Sequence, residues 1–281
     1  MSANLRLIWD NAVDRGTVTA SHTSGSLVAS NLKKDERAAM WRGTGTTETL
    51  LVEWTAAEIV DSVCLAWTNL TALATVQLKG YTLPADYPAS PAFDVTFNPD
   101  DALPLGEFVW GIDPLAQSGA SRARTAAQAQ GWLAAPHALR KLEVIIADTT
   151  NSLGYVEASR LVAGVRSEMS HNPSYNAVRL AWIDRSKPVR AESGDLRLEV
   201  FTKYRQLQIQ LDWMDVADRN AILRMVANGL GRGVWVSLMP EDADASNKQA
   251  YAFWGALMKD TEFNLPFFAT YSAPLVFEEM G

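Results

Sequence analysis

The stretch from Trp41 to Tyr81 decides the fold: W-R-G-T-G-T-T-E-T-L-L-V-E-W at 41–54, I-V-D-S-V-C-L-A-W-T-N-L at 59–70 and A-T-V-Q-L-K-G-Y at 74–81. Leu50, Val52 and Trp54 alternate with Leu51, Glu53 and Thr55; Val63, Leu65 and Trp67 alternate with Cys64, Ala66 and Thr68; Ala74, Val76 and Leu78 alternate with Thr75, Gln77 and Lys79. A period of two puts each first set on one face of an extended chain, so the spacing predicts three strands that each bury a face. Asn69, Thr71, Gly80 and Pro84 punctuate them. No helical repeat fits between, which points to an antiparallel sandwich.

Outward from this stretch, Leu5–Trp9 and Thr17–Ala20 read as short strands, followed by a polar loop, Ser21–Arg37, with one helical turn expected at Asp35–Ala39. The segment 81–130 carries Pro84, Pro88, Pro91, Pro99, Pro104 and Pro114, which break regular structure. Within it Phe93–Phe97 and Phe108–Trp110 read as short strands, and Ser121–Gln130 as a short helix. Leu142, Val144 and Ile146 alternate as a further strand, and Tyr155–Val162 reads as the last. The polar run from Arg166 to Pro173 then marks a boundary, giving a sandwich over 1–165 and a second domain over 166–281. A fragment ending at Gly164–Met169 is expected to fold by itself.

The second half changes character. Leu196–Val200 and Leu207–Trp213 alternate as strands, and Asp215 is a good N-cap for a helix over 215–228 that ends at Asn228-Gly229. Val234–Leu238, Tyr251–Met258 and Phe267–Phe277 return to strand. The expected fold class is mainly β: an N-terminal antiparallel sandwich of jelly-roll type and a C-terminal β domain with one packed helix.

Composition narrows the function. With 281 residues, 48% hydrophobic and 20% charged, the chain can bury the core of two ordinary domains. No run reaches the ~20 apolar residues of a membrane-spanning helix. Arg6 and Asp10 interrupt the opening residues, so no secretory signal is read there and synthesis in a cytosol is expected. One cysteine, Cys64, gives no disulfide framework and no cysteine-based zinc cluster. A net charge of −7 repels a polyphosphate, so nucleic acid is not an expected partner. The charge is uneven: residues 160–205 hold nine Lys or Arg against five Asp or Glu, and residues 241–281 hold two against seven. Two readings stay open, solvated faces or complementary patches that steer subunits head to tail into a ring.

Catalytic motifs are missing: there is no G-x-S-x-G, no H-E-x-x-H and no P-loop, and Gly43-Thr44-Gly45 lacks the third glycine of a dinucleotide site. His22, His137 and His171 lie far apart in sequence. No catalytic residue, metal ligand or cofactor is assigned.

The extended N-terminal arm, the polar loop carrying Asn31-Leu32, Trp41-Arg42, the amphipathic strand and the V-x-L-x-W-x-N-L strand together resemble the discoidin-like, galactose-binding jelly rolls of tail-tip and baseplate proteins of long-tailed bacteriophages. The segment Gly154–Gly164 resembles the closing strand of that module, and residues 175–281 resemble the tail-tube fold. The resemblance implies a structural, non-enzymatic component of a virion tail tip, made in the host cytoplasm. It would form a cyclic homo-oligomer and join the tube to other tail proteins, with host surface carbohydrate a further partner and no membrane insertion. The alternatives are a carbohydrate-binding module and a polysaccharide hydrolase. In related jelly rolls the loops at this end bind ligand, which makes Asn31, Trp41, Arg42 and Asn69 the candidate glycan-binding residues. Trp41 has two readings: a platform for a sugar, or a plug at the end of the sandwich with Arg42 paired to a carboxylate.

Overall fold

The structure is a computed structural model and describes residues 4–71, 73–99, 127–190, 195–199, 201–227, 233–242, 245–258, 261–267 and 270–280. It is mainly β, and the strand pairings it records are antiparallel. The chain divides into two compact units: Met1–Glu168 with Trp235–Trp254, and Met169–Val234 with Gly255–Gly281.

The first unit is a β-sandwich built on two long strands, Thr47–Thr68 and Ala127–Ala147. They pair from Thr47↔Ala147 to Thr68↔Ala127, with register shifts at Glu53/Glu58, Val60/Ser62 and Leu65/Thr68. The expected strands at 50–54 and 63–67 are therefore one element. No Gly or Pro stands between Trp54 and Val63 to break the chain, and the shifts take up the change of direction instead. The first half of this strand pairs with Thr17–Ala20 through Val18↔Val52. Its second half pairs with Arg160–Gly164 through Cys64↔Val162. Thr75–Tyr81 and Phe93–Phe97 extend the sheet beyond Ala127–Ala147. Leu50, Val52, Trp54, Val63, Leu65, Val144 and Leu161 belong to one buried cluster, so both halves of the long strand close the same core. A Cβ at Gly80 or Gly131 would strike the rings of Phe93 and Phe97, which explains two glycines inside strands.

Part of the C-terminal half belongs to this unit, unlike the expected division at residue 165. Arg6–Ile8 pairs with Ser167–Glu168 on one side and with Trp235–Ser237 on the other, through Leu7↔Val236. Trp235, Phe253 and Trp254 are buried. Periodicity reports which face a strand buries but not which remote strand lies beside it, so the boundary drawn from the polar run at 166–173 gave no sign of this return. Residues 127–130 are strand where a helix was expected, while 121–126 and Phe108–Trp110 fall outside the described residues. Residues 35–39 form a turn, and the helical turn of this loop lies earlier, a 3-10 helix at Ala29–Lys33.

In the second unit, Thr270–Glu279 pairs with Gly255–Leu257, with Tyr204–Met214 and with Asn264–Phe267. Val178–Ile183 adds to the far side of Tyr204–Met214. Helix Val216–Ala227 follows directly, and Asp215 Oδ1 caps it by accepting from Asp218 N at 2.8 Å, as the sequence led us to expect. Its expected end at 228–229 lies outside the described residues. Beyond Ile183↔Tyr204 the two strands continue as a second pairing, Lys187↔Glu199 to Arg190↔Leu196, forming an outer ribbon that forms a sheet of its own. Lys187–Arg190 is exposed throughout, and Val189 and Leu196 are open to solvent.

Candidate functional site

Four loops meet at one end of the sandwich in the first unit. Ser21 N donates to Thr49 O at 2.8 Å, Gly43 N to Val156 O at 2.9 Å, Val156 N to Gly45 O at 3.1 Å and Asp148 N to Thr46 O at 2.8 Å. Thr71 binds the Asp148 carboxylate through its backbone N at 2.8 Å and its hydroxyl at 2.6 Å. These bonds bring the segments 21–28, 43–46, 69–71 and 148–157 together.

Two assemblies of polar side chains form there. In the first, Glu48 shares the parity of Leu50, Val52 and Trp54 and is buried with them. Its carboxylate accepts from Thr44 N at 2.9 Å, from Gly45 N at 3.0 Å and from Ser21 Oγ, and lies 3.0 Å from His22 Nδ1. A Cβ at Gly43 would collide with this side chain, so glycine is what lets the loop close over it. Burial works against ionisation of Glu48, but the bonds from Ser21, His22, Gly45 and Thr44 more than offset it and hold the carboxyl below its usual range. The His22 side chain is 65% exposed, so a buried carboxylate fixes the orientation of a ring that faces water.

In the second, the Arg42 guanidinium donates through Nε to Glu157 Oε2 at 2.9 Å, with Nη2 2.8 Å from the same oxygen, and lies 4.2 Å from the centre of the Tyr155 ring. All three side chains remain partly open to solvent. The two assemblies flank the same short strand: Ser24 N donates to Arg42 O at 2.9 Å, and Trp41 Nε1 donates to His22 O at 3.2 Å.

The structure brings Trp41, Arg42 and Asn69 to this end, and gives Trp41, Asn31 and Asn69 internal tasks. Trp41 has no exposed surface and packs in the core, so it is the plug, and a ring without an exposed face cannot stack on a sugar. Arg42 pairs with a carboxylate, as the plug reading required, and stays partly accessible. Asn31 is buried, with Nδ2 donating to Met40 O at 2.9 Å. Asn69 clamps the closing strand, donating to Tyr155 O and accepting from Glu157 N, each at 2.9 Å. Both amides are buried and engaged within the chain.

The same loop end also holds residues that the sequence reading did not place there: His22, Glu48, Tyr155 and Glu157. Glu48 carried a visible signal, a carboxylate in phase with the buried face of a strand, which requires donors nearby. Tyr155 and Glu157 flank the buried Val156, and Glu157 opens the short strand Glu157–Ala158 beside Trp41–Arg42. Nothing in the sequence joins His22 to Glu48.

No protein-family model matches the chain, and no curated protein matches it. Among solved structures, it is similar to chitosan-binding module 1 of a chitosanase/glucanase from Paenibacillus sp. IK-5, with 12% identity over 56% of this chain and 99% of that one and a TM-score of 0.38. It is also similar to the family 32 carbohydrate-binding module of C. perfringens NanJ in complex with galactose, with 11% identity over 58% of this chain and 99% of that one and a TM-score of 0.37. A GH29 fucosidase from Ruminococcus gnavus matches with 8% identity over 56% of this chain and 27% of that one, at a TM-score of 0.39. None of these three is a tail protein. At such scores the likenesses are of outline and carry no argument about ligand or activity.

Proposed function

We propose that the first unit recognises carbohydrate through the loop end built on Glu48–His22 and Glu157–Arg42–Tyr155. The observation that supports this reading is the bracing of each outward polar group by a partner behind it: His22 is oriented by a buried carboxylate, and Arg42 by Glu157 and the Tyr155 ring. Pre-oriented donors and acceptors beside an aromatic ring suit a pyranose, which offers hydroxyls at its rim and C–H bonds on its face. The test is a glycan array followed by calorimetry on the intact chain and on His22→Ala and Arg42→Ala. Each variant is expected to weaken binding by roughly tenfold or more, the effect of losing a hydrogen bond to a charged or polarised group. A chain that binds nothing on a broad array ends this reading.

The outer ribbon favours a second reading, a structural piece of a phage tail tip that closes into a ring and carries the sandwich outward. A two-stranded ribbon is marginally stable alone in water, and this one exposes Val189 and Leu196. Such an element fits a partner surface better than solvent. The uneven charge supports a ring less than the sequence suggested, because Arg160 pairs with Asp14 and Asp35, Arg205 with Glu279, and Glu241 with Arg6 within the chain. Sedimentation at high protein concentration, alone and with candidate tail proteins, tests this reading, and a monomer under all conditions speaks against it.

A further inference from the structure

Trp213 stands where the alternation of its strand fails. Along Tyr204–Met214, residues Arg205, Leu207, Ile209 and Leu211 are buried in turn, and continued alternation would bury Trp213. The register with Thr270–Glu279 instead shifts between Leu211↔Ala273 and Met214↔Tyr271. Met214 takes the buried position, and Trp213 is left 54% exposed. A bulge re-aims a side chain, and here it turns a large aromatic ring outward at the end of a strand.

The exposed ring lines an open cavity of about 410 Å³, together with His171, Met214, Asp215 and Thr270, all within the second unit. His171 is oriented from behind. The Ser170 hydroxyl has one hydrogen and gives it to Asp218 Oδ2, so towards His171 Nδ1, 3.0 Å away, it acts as acceptor. The neutral ring then carries its proton on Nδ1, and Nε2 is an acceptor. Asp218 is itself held, accepting from Ser170 N at 3.2 Å. Asp215 uses Oδ1 for the helix cap, and its other carboxylate oxygen is not needed there.

We infer that this cavity is a carbohydrate subsite taking one pyranose ring, with Trp213 as the stacking platform and His171, Asp215 and Thr270 as partners for its hydroxyls. A purely apolar occupant would use the indole face but not the remaining hydrogen-bonding capacity of His171, Asp215 and Thr270 in the same lining. A sugar meets both kinds of wall, and the volume lies near the lower end of the range for small-ligand sites. The subsite is separate from the loop end of the sandwich and stands whether or not that end binds glycan.

The test uses the full chain with ¹⁵N-labelled tryptophan. The Trp213 indole N–H resonance is assigned by its disappearance in Trp213→Phe, and methyl glycosides of glucose, galactose, mannose and N-acetylglucosamine are titrated into the millimolar range. At least one is expected to shift that resonance saturably. His171→Ala, at an exposed loop position, should weaken the effect about tenfold, whereas His22→Ala and Arg42→Ala should leave it unchanged. The inference is overturned if none of the four moves the Trp213 resonance, or if the shift keeps its full strength in His171→Ala. Loss of array binding in His22→Ala with the Trp213 shift retained would establish two independent sites.

Discussion

A carboxylate on the buried face of a strand is tolerated only where enough donors converge on it, and Glu48 meets that condition with two backbone N–H groups, a serine hydroxyl and an imidazole. Its pKa is lowered from 4.5 in the fold, so the stability it contributes is fully present above that value and is lost as pH falls through the lower folded value. Urea midpoints measured from neutral pH down through the carboxylate range should fall on the acid side, and Glu48→Gln should flatten that fall while lowering stability near neutrality by about 1–3 kcal/mol. An unchanged acid limb in the variant would remove Glu48 from the account. Trp41 lies next to Arg42 and makes a purely structural contribution. Trp41→Ala should lower unfolding free energy by about 3–5 kcal/mol. The two readings of this residue were legible in the sequence, but the choice between them was not, because only the His22 carbonyl and the packed core beneath the ring decide it.

At the scale of elements, the alternating runs were legible and their joins were not. Leu50–Trp54 and Val63–Trp67 each showed a buried face, yet the bulges that make them one strand, Thr47–Thr68, follow from pairing with Ala127–Ala147. Trp213 shows the same limit: its phase with Leu211 was plain, and a register shift reversed its direction. Val178, Leu180 and Trp182 alternate with Arg179 and Ala181, a readable strand, but the ribbon's meaning lies in what stands beside it. The inner half is extended by Thr270–Glu279, while the outer half, among the described residues, pairs only with itself. Val189→Ser and Leu196→Ser should therefore each change the unfolding free energy of the isolated chain by less than about 0.5 kcal/mol. If the ribbon docks in an assembly, the same variants should weaken that assembly, seen by co-sedimentation with its partners. A large destabilisation of the isolated chain would instead show that the ribbon is packed in solution.

At the scale of the whole molecule, the first unit includes a segment to which the chain returns late, Trp235–Trp254. The segment Trp235–Trp254 supplies the strand beside Arg6–Ile8, and its contacts with the sandwich are specific. Ser237 Oγ donates to Gln130 Oε1 at 2.7 Å, Gln249 exchanges bonds with the Gln128 backbone at 2.8 and 2.9 Å, and Trp254 Nε1 donates to Asp35 at 3.2 Å. Arg160, almost fully buried, lies over the Trp254 ring with its carbon 4.8 Å from the ring centre. A fragment ending at Glu168 would leave Leu7 and Ile8, both fully buried in the intact unit, without the strand that pairs with them, and would leave Arg160 without the indole it faces. Loss of Trp235, Phe253 and Trp254 removes three large buried side chains, each contributing roughly 1.5–3 kcal/mol or more by burial, against a typical domain stability of about 5–15 kcal/mol. The fragment 1–168 is therefore expected to be insoluble or to unfold without cooperativity. A fragment 1–168 joined by a short flexible linker to residues 235–254 should recover a single cooperative transition in urea. Cooperative unfolding of 1–168 alone, at a midpoint equal to that of the joined fragment, would show that the returning segment only decorates a core that is already complete.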